Sequence, residues 1–274
     1  MLCLKLVVNT GGICSRFDLD AMQILDHCFF VTGGSSGLGR AVVKALVAAG
    51  AYVVIADQDS EKGDSLSKDL NQQALFITTD VSEETSIVQA LRLTLANFKK
   101  LHGVINCAGV LVAERLLKKD GNLFNLAGFR RCIDVNLIGT FNVMRLACPI
   151  MAVNQPEKNG ERGLILNTAS IAAYDGQIGQ AAYAASKAGI IGMTLPIARE
   201  LGKSGIRVMA IAPGVFETPL FTQIGEDKRT EIEQNIPFPR RLGKPSEFAA
   251  LALHIIDNPM LNGEVIRLDG ALRL

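Results

Sequence analysis

Residues 28–57 read CFFVTGGSSGLGRAVVKALVAAGAYVVIAD. The run Cys28–Thr32 is apolar almost throughout, without the polar alternation of a half-exposed strand, as a strand covered on both faces requires. Apolar positions three and four apart then run from Leu38 to Ala49 and predict a helix with one buried stripe. A second apolar run, Tyr52–Ala56, follows and ends at Asp57. Strand, glycine-rich turn, helix and strand in this order make one βαβ unit, and strands joined that way lie parallel in an open α/β sheet.

The rhythm continues to the end of the chain. Apolar runs at Ala74–Thr78, Gly103–Asn106, Leu164–Thr168, Arg207–Ile211 and Val265–Leu268 alternate with helical patterns at Glu61–Leu70, Glu83–Phe98, Phe129–Ala152, Gln180–Leu201 and Pro245–Asp257. The fold expected is α/β, a single Rossmann-like doubly wound parallel sheet of about seven strands with helices on both faces. Residues 22–274 would form that one domain, with no internal repeat or low-complexity linker inside it. Three stretches break the pattern: Leu111–Gly128, Asn154–Gly163 and Val215–Lys244. Ligands of open α/β sheets bind beyond the carboxyl ends of the strands, which makes the first and third candidate pocket walls. The second reads as a polar surface loop.

Composition narrows the function. With 49% hydrophobic and 20% charged residues the chain is not disordered. Its 28 basic and 27 acidic side chains leave a net charge of +1, so no field draws it to nucleic acid or anionic lipid. Charges and breakers interrupt every long apolar window, and no membrane span is expected. Six cysteines and three histidines are scattered without metal-ligand spacing, so no metal site is expected. Unpaired thiols point to a reducing compartment, the cytoplasm, or the mitochondrial matrix in a eukaryote. Residues 1–21 combine a short apolar run broken by Lys5, a Gly11-Gly12 pair and mixed charge. They match neither a secretory signal nor a mitochondrial presequence. They read as a non-core extension, with Met22 as the natural start or as the end of a loose terminal arm.

The turn after the first strand carries glycines at 33, 37 and 39. They suit a tight turn, close approach of backbone to a diphosphate, and close packing of helix on strand, with phosphate resting on the helix N-terminus. The spacing is G-x-x-x-G-x-G rather than the commoner G-x-G-x-x-G. Asp57, at the end of the second strand, can accept hydrogen bonds from adenosine ribose hydroxyls and would repel the 2′-phosphate of NADP. No base occupies position 36 or 58. NAD is therefore the expected cofactor. Tyr183 and Lys187 stand four apart on one helix face. A lysine ammonium close by, together with an oxidised nicotinamide, favours the phenolate of a tyrosine whose ordinary pKa is near 10. Ser170, at the end of the fifth strand, can hydrogen-bond a substrate oxygen. Tyr174 lacks a lysine four residues on and reads as a wall residue.

Together TGGSSGLG (32–39), Asp80-Val81, NCAG (106–109), Asn136 in DVNLIGTFN, Ser170, YAASK (183–187) and Pro213-Gly214 resemble the short-chain dehydrogenase/reductase family, in order and across residues 28–270. The resemblance implies that Tyr183 transfers the proton, Lys187 binds the nicotinamide ribose, Ser170 orients the substrate and Asn136 holds a water in a proton relay. The family's usual NNAG is NCAG here, so Cys107 replaces a polar side chain. Residues 176–221, 236–249 and 262–274, with the extra segment after NCAG, are similar to the family's type II 3-hydroxyacyl-CoA dehydrogenases, which are NAD-dependent tetramers. That likeness implies cofactor contacts at Gly33, Ser36, Gly37, Leu38, Gly39, Asp57, Asp80, Val81, Cys107, Phe216 and Thr218 besides Tyr183 and Lys187. It also implies a homotetramer acting on an acyl-CoA. Two rival readings stand beside it: a dehydrogenase of another secondary alcohol such as a hydroxysteroid, and a non-catalytic NAD-binding scaffold. Arg115, Lys118 and Lys119 either approach the CoA phosphates or form a solvated charged loop.

Overall fold

In the computed structural model, which describes residues 22–118, 121–219, 221 and 226–273, strand β1 (Cys28–Thr32) is buried along its whole length. Side chains alternate across a strand, so Phe29 and Val31 join one apolar layer while Phe30 joins the other. The same division runs through β2 (Tyr52–Asp57), β3 (Ala74–Thr78), β4 (Gly103–Asn106), β5 (Gly163–Thr168), β6 (Ile206–Pro213) and β7 (Val265–Leu268). Apolar residues on both faces are what made these runs look continuous in the sequence. The helices are α1 (Gly37–Ala48), α2 (Ser60–Asp69), α3 (Glu84–Phe98), α4 (Leu126–Ile133), α5 (Thr140–Ala152), α6 (Ala181–Leu201), α7 (Glu226–Asn235) and α8 (Pro245–Asp257). Core residues of α1 and α8 close the first layer, and those of α3, α5 and α6 close the second.

All neighbouring strands pair in parallel, in the order β3-β2-β1-β4-β5-β6-β7. The winding reverses between β1 and β4, and the crevice past their carboxyl ends is where a ligand of such a sheet sits. The chain belongs to the α/β class with the seven-stranded parallel sheet expected of it. Predicted elements match to within a few residues. The proposed extension at residues 1–21 lies outside the described residues.

Three details differ from expectation. The helix expected over Phe129–Ala152 is continuous from Leu126 to Ala152, but α4 and α5 join through a segment, Asp134–Gly139, wound as π-helix rather than α. Its mean hydropathy of 1.3 over a window of membrane-span length was not anticipated from its charges. In the fold its Val143, Met144, Ala147 and Met151 are buried in the second layer. Within the Val215–Lys244 stretch, α7 is a helix whose sequence is too polar to show a stripe. The polar loop at Asn154–Gly163 is anchored at two buried points. Asn154 Nδ2 donates to the carbonyls of Leu101 (2.7 Å) and Arg162 (2.9 Å), and Glu161 accepts from the buried Arg207 guanidinium at 2.8 Å.

Candidate active site

The glycine turn is shaped by backbone contact. Gly33 has φ +62° and a Cβ there would lie 2.7 Å from the Ala108 nitrogen, while a Cβ at Gly39 would lie 2.2 Å from the Gly33 carbonyl oxygen. A side chain at either position would collide with backbone, so the turn keeps this shape only with glycine there. Ser36 caps α1 in an extended conformation without a side-chain bond to the helix, and the first turn holds no acid. The opening amides are left for an anion from outside the helix. Chain and ligand class fit: this turn can hold the diphosphate of a dinucleotide. Asp57 stands beside it, its Oδ2 accepting from the Ser35 amide (3.0 Å) and hydroxyl (2.5 Å).

A cavity of about 1150 Å³ extends from this turn across the carboxyl ends of the strands. Gly33, Ser36, Gly37, Leu38, Gly39, Asp57, Asp80, Val81, Cys107, Ser170, Tyr183, Lys187, Phe216 and Thr218 all line it. Leu111 and Ala113 on one side, and Val215, Phe221 and Ile232 on the other, come from the two stretches expected to form walls. The Asp80 carboxylate is held by the Ser82 amide (2.9 Å) and hydroxyl (2.6 Å). Cys107 donates its amide to the Thr32 carbonyl at 3.1 Å, and burial pushes its thiol up to about 11. Phe216 packs edge-on against Phe248 with ring centroids 6.4 Å apart, and Thr218 lies against Gly37.

The reacting wall is assembled from β5 and α6. Ser170 follows β5 and accepts from the Ala172 amide at 3.1 Å, and its hydroxyl favours the phenolate of Tyr183. Tyr183 lies in the first turn of α6 and Lys187 one turn on, its Nζ 5.8 Å from the Tyr183 ring centroid. That ammonium donates to the Thr168 carbonyl at 2.7 Å, and burial pulls it down to about 8. The lysine ammonium and an oxidised nicotinamide together are expected to bring the phenol down. In the folded chain burial raises Tyr183 above its ordinary value, and the neighbour that opposes the rise is Ser170.

Asn136 is the one predicted site residue that does not line the cavity. It is fully buried in the π-helical segment, where such bulges gather at functional sites. Its Oδ1 accepts from the Val110 amide (2.8 Å), and its Nδ2 donates to the Val110 carbonyl (2.9 Å) and the Ser186 hydroxyl (3.0 Å). Ser186 in turn donates to the Tyr183 carbonyl at 2.7 Å. Asn136 thus clamps the strand end beside the cavity to the helix that carries Tyr183. Ser186 was missed in the sequence, although it stands next to Lys187 in the same motif. Tyr174 is not a wall residue: it is about half exposed, with the Arg267 guanidinium 4.9 Å from its ring centroid. Of the loop cations, Lys118 pairs with Glu114, Arg115 is exposed outside the cavity wall, and Lys119 lies outside the described residues.

This fold and cavity define a nucleotide-binding oxidoreductase of the doubly wound class. The model of the short chain dehydrogenases matches residues 27–229, and the chain belongs to that family. It is 50% identical to the 3-hydroxyacyl-CoA dehydrogenase type-2 of Drosophila melanogaster, over 89% of this chain and 96% of that one. The crystal structure of 3-hydroxyacyl-CoA dehydrogenase type-2 from Mycobacterium avium superposes with a TM-score of 0.86 at 45% identity, covering 90% of this chain and 96% of that one. That of 3-ketoacyl-(acyl-carrier-protein) reductase from Brucella melitensis complexed with NADH superposes with a TM-score of 0.80 at 28% identity, covering 90% and 98%.

Proposed function

We propose that the protein interconverts a short-chain (3S)-3-hydroxyacyl-CoA and its 3-oxoacyl-CoA with NAD. The observation that carries this reading is the convergence of Ser170, Tyr183 and Lys187 on one cavity whose far wall is the glycine turn. The names of the relatives supply the acyl-CoA. A bound NAD, held by the glycine turn, Asp57 and Lys187, would supply the hydride acceptor for C3 of the substrate. The chain does the rest. The Tyr183 phenol exchanges a proton with the 3-oxygen, and the Ser170 hydroxyl donates to that oxygen as charge develops on it. A phenol kept protonated by burial suits the reductive direction, in which it gives the proton up. Lys187 places a cation beside the ring and, held by the Thr168 carbonyl, is available to the nicotinamide ribose. Asn136 acts through its bonds to Val110 and Ser186 and is a positioning residue.

Asp57 supports NAD rather than NADP. A carboxylate beside a 2′-phosphate repels it, and Arg40 is exposed outside the cavity wall. NADH should be preferred over NADPH by at least about 2 kcal/mol, roughly 30-fold. Asp57→Ser should narrow that gap mainly by weakening NADH, and equal use of both cofactors by the wild type would overturn the assignment. Turnover of acetoacetyl-CoA beside a panel of steroid and small ketones tests the substrate: the thioester should lead the panel. No turnover of any of them would leave a binding scaffold.

The protein is also read as a homotetramer. Leu126 and Phe141 stand exposed along the helix Leu126–Ala152, apolar surface of the kind that self-association covers. Light scattering of the full chain decides it. Free thiols at Cys28, Cys107, Cys132 and Cys148 support a reducing compartment, cytoplasm or mitochondrial matrix.

A further inference from the structure

The nucleotide end of an acyl-CoA carries a diphosphate and a 3′-phosphate. The residues described above attend only to its acyl end and to the dinucleotide. Two cations lie elsewhere on the same cavity wall. Arg130 and Arg131 belong to a strip of α4 and the π-helical segment made of Ala127, Arg130, Arg131, Asp134, Val135 and Ile138, all lining the cavity. Positions three and four apart share a helix face, so the strip is one surface facing the ligand space.

Their charge is unspent. Among the described residues neither guanidinium has an ion-pair or hydrogen-bond partner, whereas Lys118, Arg145, Arg229 and Arg241 are each paired with a glutamate. Apart from the buried Lys187 they are the only cations lining the cavity among the described residues, and its ionisable acids are Asp57, Asp80, Glu83 and Asp134. Both arginines are exposed, so water reaches them before a ligand does.

The strip is also linked to the reacting end. The Glu114 amide donates to the Gly179 carbonyl at 2.8 Å, four residues before Tyr183. The Glu114 carboxylate accepts from the Asn125 amide, the cap of α4, at 2.9 Å. Glu114 therefore bridges the turn ahead of Tyr183 to the start of α4. The dinucleotide's own diphosphate has the amides of α1.

We propose that Arg130 and Arg131 form a phosphate subsite for the coenzyme A moiety of the substrate, distinguishing a CoA thioester from a shorter ketone with the same reacting atoms. This rests on the acyl-CoA reading above. A guanidinium presents a planar fork of donors that matches phosphate, and an exposed contact of this kind is modest and screened by salt.

The full-length double variant Arg130→Gln/Arg131→Gln is compared with the wild type on acetoacetyl-CoA and on acetoacetyl-N-acetylcysteamine, which keeps the thioester and lacks the phosphates. Both are assayed at low and high salt, with NADH affinity titrated separately. The KM for acetoacetyl-CoA should rise about tenfold and lose most of its salt dependence, while kcat/KM on the truncated thioester and the Kd for NADH stay within about twofold. An unchanged KM for acetoacetyl-CoA overturns the subsite. So does an equal loss on both thioesters, which would mark a change of shape, and so does a loss confined to NADH, which would give the pair to the dinucleotide. A wild type that ignores both thioesters but reduces another ketone overturns the acyl-CoA reading itself.

Discussion

Tyr183 and Lys187 show burial setting the chemistry of single residues. Tyr183→Phe keeps the ring and deletes the transferable proton. Steady-state kinetics should show kcat down by about 10³-fold, while a fluorescence titration shows NADH binding retained. Activity within about tenfold of wild type would remove Tyr183 from the proton-transfer step. Lys187 makes a second prediction, on stability. Its folded pKa of about 8 lies below the ordinary lysine value of 10.5. The unfolded chain therefore binds more protons between those values, and stability due to this group rises as pH climbs from about 8 to 10.5. Below that window the cost of the buried ammonium is fully present. Lys187→Met should be inactive yet more stable than wild type at pH 7, by about 1–2 kcal/mol after losing the Thr168 bond. Chemical denaturation at a series of pH values checks it: the advantage should shrink toward pH 10.5, and a gap that widens would contradict the burial argument.

Arg207 ties three elements together. It lies on β6, donates through Nε to Glu161 at 2.8 Å, and through Nη1 and Nη2 to the carbonyls of Ile255 (2.9 Å), Ile256 (3.0 Å) and Leu261 (2.9 Å). The last-turn carbonyls of α8 thus receive a cation where the helix dipole favours one. Both side chains of the ion pair are almost fully buried. Removing one partner of such a pair leaves a buried charge uncompensated, so Glu161→Ala should cost about 3 kcal/mol and lower Tm by about 6–10 °C. Arg207→Met, which removes the charge and keeps apolar volume, should weaken the β6–α8 contact and leave Glu161 unpaired, with a loss of similar size. Differential scanning calorimetry tests both, and a shift under about 2 °C in each would mean the pair is replaceable by water.

Closure of the core begins at Met22. Met22 and Ile24 are 2% and 3% exposed and belong to the layer that also holds α1, β2 and α8. A chain beginning at Leu25 should therefore lose about 4 kcal/mol through two deleted core side chains. A chain beginning at Met22 keeps them, and its Tm and its kcat/KM for acetoacetyl-CoA should match the full-length protein, to within about 3 °C and about twofold. Thermal melts of the two truncations side by side check this. Equal destabilisation would show that residues 1–21 are themselves part of the packed molecule.

The sheet, its seven strands and the glycine turn were legible because each depends on local periodicity or on a backbone need that one residue type meets. Apolar runs buried on both faces cannot be surface strands, and only a residue without a Cβ fits at Gly39. Tyr183 and Lys187 were legible because helical spacing alone places them on one face. Where Asn136 turns its amide, which loop residues sink into the core and that Arg130 and Arg131 line the cavity were not legible. The polar character of α7 hid a helix, and that of the Asn154–Gly163 loop hid two buried anchors. Each of these was decided by partners distant in the chain: Asn136 by Val110 and Ser186, Glu161 by Arg207, Arg130 and Arg131 by the cavity their helix crosses. A polar side chain's role follows from where its desolvation is compensated, and that compensation exists only once the layers have packed.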